Sequence, residues 1–151
     1  MEYPIGNNIL VNLATIHDMA NSIYLVIDEY YKKSEFKRII LFCRGSSGAI
    51  IAGIVSSKLI ELFPDKAITI HHIKKQGEES HSFTFPEDSV FYKSIILIVD
   101  DFIATGSTMR AILEHIALRR RDQEIDILCV SGNLQGSDFP TEKIKHCILS
   151  R

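Results

Sequence analysis

The stretch that most constrains this chain runs from Ser94 to Arg110. Ile95, Ile96, Leu97, Ile98 and Val99 are apolar without a break, and four of these five are β-branched. That is the pattern of a strand buried on both faces, as in a parallel sheet. The run stops at Asp100 and Asp101, two adjacent carboxylates that a buried strand cannot carry further without a large desolvation cost. Phe102 and Ile103 follow, then the small and hydroxylated run Ala104, Thr105, Gly106, Ser107 and Thr108. Met109, Ile112, Leu113 and Ile116 then repeat at the three-and-four spacing of a helix. Strand, acidic turn, small loop and helix together predict one βα unit with a ligand site at its carboxyl end.

The chemistry of that turn follows from its residue types. Small residues let the backbone approach an anion, and Gly106 can take a positive φ without steric cost. Amides of residues 105–108 would open the helix, where unpaired N–H groups and the helix dipole favour a phosphate. Thr105, Ser107 and Thr108 add hydroxyl donors. Asp100 and Asp101 would repel that phosphate, so they must face another part of the ligand. Ionised carboxylates accept hydrogen bonds, which suits a sugar diol. A monophosphate at one end and vicinal hydroxyls at the other describe a ribose 5-phosphate.

Residues 95–108 resemble the binding signature of the type I phosphoribosyltransferases, enzymes that use 5-phosphoribosyl-1-pyrophosphate (PRPP). The resemblance implies an α/β fold in a single domain over residues 1–151, with a mainly parallel five-stranded sheet flanked by helices. It also implies a flexible flap, a small hood, and transfer of the phosphoribosyl group to a nucleobase, a purine being favoured. Asp100 and Asp101 would then be the catalytic pair, orienting the ribose diol directly or through water on a bound Mg²⁺. Ala104, Thr105, Gly106, Ser107 and Thr108 would hold the 5-phosphate. A homodimer is implied by the same resemblance.

The rest of the chain is read around this unit. Apolar positions Ile16, Ala20, Ile23, Tyr24, Ile27 and Tyr31 define one face of a helix from about 13 to 31, leaving His17 and Asp18 as surface residues. Residues 39–43 are a second buried-strand pattern, ending at Arg44, Gly45, Ser46, Ser47 and Gly48. A helix with Ile51, Ile54, Val55, Leu59 and Leu62 inward comes next. In the resembling family the loop after the first strand contacts the pyrophosphate of PRPP, which places Arg44, Gly45, Ser46 and Ser47 there. Residues 67–73 read as the next strand, and Lys74 and Lys75 would open a flap reaching Phe85 and add cations at the pyrophosphate. His71, His72 and His81 have no carboxylate or Cys at ligand spacing, so a metal site is not expected of them. Residues 125–130 and 144–149 complete the strands, the last as an edge. The hood would be either the tail around Phe139, whose ring could stack on a base, or residues 1–12. Ala104 stands where some relatives acting on 6-oxopurines place an Asp, and no general base is identifiable.

Composition narrows the classes. The 151 residues are 46% hydrophobic and 24% charged, with a formal net charge of −2, so no basic field invites nucleic acid or an anionic membrane. No apolar run in the sequence is long enough to span a bilayer, no secretory leader is evident in the first residues, and a cytoplasmic protein is expected. Cys43, Cys129 and Cys147 each lie in an apolar run, which predicts buried, reduced thiols. A non-catalytic PRPP- or nucleotide-binding regulatory module of the same fold remains the alternative reading.

Overall fold

A computed structural model describes residues 13–73, 92–100, 107–119, 124–131 and 143–150. The elements are α1 (Leu13–Tyr30), β1 (Arg38–Arg44), α2 (Gly45–Leu62), β2 (Ala67–Ile73), β3 (Ser94–Asp100), α3 (Ser107–Arg119), β4 (Ile125–Ser131) and β5 (Ile144–Ser150). The strands form one five-stranded sheet in the order β2-β1-β3-β4-β5. Every pairing is parallel, so the architecture is the one the sequence predicts, with the sheet wholly rather than mainly parallel.

Burial explains the apolar runs. The interior residues of β1 and β3 are all buried because helices cover both faces of the sheet. One face carries Ile39, Leu41, Cys43, Ile95, Leu97, Val99, Ile127 and Cys129 against α1 and α2. The other carries Ile40, Phe42, Ile96, Ile98, Leu128 and Val130 against Met109, Ile112 and Ile116 of α3. Each fully buried aliphatic side chain contributes on the order of 1.5–3 kcal/mol relative to exposure. The α1 stripe is buried at Ile16, Met19, Ala20, Ile23 and Ile27, while His17 and Asp18 are exposed. The sequence has no unbroken apolar run long enough to span a bilayer, yet α2, at 18 residues with polar positions interspersed, is on length and average composition long and apolar enough to cross a membrane. In this fold it packs on α1, β1, β2 and β3 as a core helix.

The amino ends of the strands are tied by two charged side chains. Asp126, 4% exposed, accepts from the Ile96 amide at 2.9 Å, the Tyr31 hydroxyl at 2.8 Å and Lys145 Nζ at 3.2 Å. Tyr31 follows α1 directly, with its amide on the Ile27 carbonyl, so Asp126 fastens that helix to the sheet. Tyr30 stacks on His146 of β5 with centroids 4.4 Å apart. Lys66 Nζ donates to the carbonyls of Lys33 and Phe36 and lies 4.5 Å from the centroid of the Phe36 ring, joining the turn before β1 to the turn before β2.

Asp126→Ala strands a buried amide and a half-buried hydroxyl, and should lower unfolding free energy by about 2–3 kcal/mol, read as a shift in the urea midpoint at unchanged slope. Asp126→Asn, which still offers an oxygen to Ile96, should cost less. Burial, then the bond to Asp126, raises the Tyr31 pKa above its ordinary 10.0. Stability from the neutral hydroxyl is therefore present below pH 10 and declines as alkali ionises the unfolded chain first. The advantage of the wild type over Tyr31→Phe should shrink above pH 10.

Candidate active site

The strand order fixes where a site can form. From β1 the chain crosses through α2 to β2 on one side, then returns to β3 and proceeds through β4 to β5 on the other. The carboxyl ends of β1 and β3 therefore border a topological switch point. There α2 and α3 lie on opposite faces of the sheet, the arrangement whose crevice is the usual location for ligands in open parallel sheets.

Asp100 ends β3 at that crevice and is 5% exposed. Its charge reaches the neighbouring strand: burial first, and Asp100 second, push the Cys43 thiol up to about 12. Cys43 is thus a protonated core residue at neutral pH, with its Sγ 4.0 Å from the His71 carbonyl. Ser107 and Thr108 lie in the first turn of α3 as described; residues 105 and 106, expected to open that helix, lie outside the described residues.

Arg44 ends β1 and is half-buried, and its Nε is enclosed with no hydrogen-bond partner among the described residues. The expected loop at residues 44–48 is not a loop. Strand passes directly into helix at Gly45, and the reversal is absorbed by that residue at φ 77°, a conformation that favours glycine. Arg44 stays extended at φ −144° and ψ 141°, makes no side-chain cap, and no acidic residue occupies the first turn of α2. Ser46 is exposed and Ser47 half-buried. The first turn of α2 thus opens uncapped directly after a strand that ends in an arginine, and helix-opening amides and cations each suit an anion.

Sequence reasoning considered His72 only as a metal ligand. Its Nε2 instead lies 3.1 Å from the Gly45 carbonyl; the available signal was register, since His72 pairs with Cys43 two residues before Gly45. His71 turns to the other face and stacks on Phe42 at 5.3 Å, and burial, then the Arg38 charge, lower its pKa below 6.5. Among the described residues no group of three His, Cys, Asp or Glu side chains could hold a metal. Asp101, Ala104, Thr105, Gly106, Lys74, Lys75 and Phe139 lie outside the described residues, as do the expected flap and both hood candidates.

The sequence matches the phosphoribosyl transferase domain over residues 11–150. The chain belongs to that family. The chain is also similar to the bifunctional protein PyrR of Staphylococcus epidermidis, at 24% identity over 156 residues covering 91% of this chain and 88% of that one. Its fold is shared with the hypoxanthine phosphoribosyltransferase of Trypanosoma cruzi in complex with the product IMP. The TM-score is 0.60 at 14% identity, over 97% of this chain and 81% of that one. The hypoxanthine-guanine phosphoribosyltransferase of Schistosoma mansoni in complex with IMP gives 0.53 at 17% identity, over 96% and 69%.

Two of the three thiols are buried, and Cys147 on the edge strand is exposed, against the sequence expectation. A thiol reagent at pH 8 should modify Cys147 first, although partial burial pushes its thiol up, and Cys43 and Cys129 only as fast as the protein opens. Cys147→Ser should abolish the fast phase.

Proposed function

We propose that this phosphoribosyl transferase domain transfers the 5-phosphoribosyl group of PRPP to a nucleobase with release of pyrophosphate. The observation that carries the reading is Asp100, a buried carboxylate ending a central strand at the switch point, five positions before Thr105 of the Thr-Gly run in the sequence. A purine is the acceptor of this proposal, as the resemblance implies, with Ala104 standing where some relatives acting on 6-oxopurines place an Asp.

In this reaction a ring nitrogen of the base forms a bond to the anomeric carbon as the bond to pyrophosphate breaks. The leaving group takes the electron pair, and positive charge grows on the ribose. The task of the protein is positional and electrostatic. Asp100 and Asp101 accept the ribose hydroxyls and favour the growing positive charge. The amides and hydroxyls of residues 104–108 hold the 5-phosphate. Arg44, with Gly45, Ser46 and Ser47 and the lysines Lys74 and Lys75, receives the pyrophosphate, and the segment 74–85 excludes water that would hydrolyse PRPP. The base is met either by Phe139 or by residues 1–12, the two hood candidates.

A hard divalent cation fits the donor set only with help from the substrate. One buried carboxylate at the end of β3 and its neighbour Asp101 offer oxygen donors, so Mg²⁺ would be held by these, directly or through water, together with PRPP oxygens. When bound it neutralises charge on the departing pyrophosphate. A homodimer in the cytoplasm is the assembly and location consistent with the resemblance.

A second reading, a PRPP- or nucleotide-binding regulatory module without turnover, is supported by the departure of the β1–α2 junction, strand passing directly into helix, from the loop expected there. Pyrophosphate release from PRPP and Mg²⁺ with each common base separates the two. Binding without release for every base would establish the module.

For the enzyme, Asp100→Asn with Asp101→Asn should lower saturated turnover by roughly a hundredfold, with a smaller change in PRPP affinity. Unchanged turnover at saturation would refute the electrostatic role. Gly106→Val should weaken PRPP binding by calorimetry; retained affinity would put the 5-phosphate elsewhere.

A further inference from the structure

The turn from β1 into α2 is made by one residue. Gly45 reverses the chain at φ 77°, and the helix starts at that residue. Such a hinge has no loop to average out its errors: rotation about Gly45 swings the first turn of α2 relative to the end of β1. A side chain from the neighbouring strand braces it. His72 reaches from β2 to the Gly45 carbonyl at 3.1 Å.

That carbonyl belongs to the first residue of the helix, and the peptide it is part of supplies the Ser46 amide. Fixing one end of a planar peptide fixes the other. His72 is half-buried and held in register by the pairing of Cys43 with His72 and of Arg44 with Ile73. The brace is therefore attached to the sheet rather than to a mobile surface group. The Nε2–H of the imidazole donates to the carbonyl in this arrangement, whether the ring is neutral in that tautomer or protonated.

We propose that His72 is a positioning residue for the pyrophosphate end of the site. It holds the Gly45–Ser46 peptide so that the opening amides of α2 and the Arg44 guanidinium meet the leaving group together. The inference rests on the reading that residues 44–47 receive pyrophosphate, and it adds a residue from a different strand that touches no substrate.

The test compares three ligands on three variants by calorimetry: PRPP, pyrophosphate and ribose 5-phosphate, each with Mg²⁺. His72→Leu keeps apolar bulk and removes the donor, and His72→Ala takes its place if the leucine variant does not fold. His72→Gln restores a nitrogen donor near the same position. Arg44→Ala reports on the underlying reading. His72→Leu should weaken PRPP and pyrophosphate by about tenfold, the worth of one well-placed hydrogen bond, and leave ribose 5-phosphate unchanged. His72→Gln should recover most of the loss. In steady state the KM for PRPP should rise more than turnover falls.

Equal losses for all three ligands, or no recovery with glutamine, would overturn the proposal, because a general packing defect does not discriminate between ends of the ligand. Unchanged pyrophosphate affinity in His72→Leu alongside a loss in Arg44→Ala would overturn it while leaving the pyrophosphate reading intact. Unchanged affinity in Arg44→Ala would remove that reading, and the proposal with it.

Discussion

Parallel pairing of β1 with β3 is the constraint from which the rest of the molecule follows. Two adjacent strands of the same direction cannot be joined by a hairpin, so the chain must cross over a face of the sheet each time it returns. Crossing with α2 on one face and continuing through α3 on the other buries both sides of β1 and β3. The same requirement sends β2 to one side and β4 and β5 to the other. The crevice between the central strands is thus a product of connectivity. What the sequence adds is the chemistry placed at its rim, Asp100 on one wall and Arg44 on the other.

The two ends of the sheet divide the polar work. At the amino ends, Asp126 and Lys66 are each met by several partners, which is how a buried charge is accommodated in a stable interior. At the carboxyl ends, the Arg44 Nε is enclosed without a hydrogen-bond partner among the described residues, and the opening of α2 has no side-chain cap. An enclosed donor without a partner among the described residues is a cost to stability that the proposed pyrophosphate contact of Arg44 would offset. The low reactivity expected of Cys43 belongs to the same picture, since the Asp100 charge and burial both oppose a second anion there.

Most of the architecture was legible because period and burial agree. The unbroken apolar runs of β1 and β3 specify strands covered on both faces, and the stripes of α1 and α3 specify helices with one buried face. Asp100 was legible as the end of a strand because a carboxylate terminates an apolar run. The β1–α2 junction was misread as a loop: Gly45, Ser46 and Ser47 have loop-like composition, yet a single glycine at positive φ makes the turn and the serines belong to the helix. His72 and Asp126 carry roles that depend on neighbours far away in sequence, Gly45 and Ile96, and nothing local announces them. Cys147 sits in an apolar run like the other thiols, but an edge strand covered incompletely leaves it exposed.

The bond between Asp126 and the Ile96 amide has a consequence for alignment. The main-chain ladder between β3 and β4 runs from the pairing of Leu97 with Ile127 to that of Asp100 with Val130. At its lower margin the acceptor for β3 is a side chain. A slip of β4 by two residues would preserve the alternation of faces and most of the apolar packing, which is the alternative a sheet of similar aliphatic residues resists least. It would also present Leu128 or Glu124 to Ile96 in place of Asp126 and leave the Tyr31 hydroxyl facing the wrong residue. One carboxylate therefore distinguishes the native alignment from its nearest competitor, and so sets the height at which β4 and β5 deliver their carboxyl ends to the rim of the crevice.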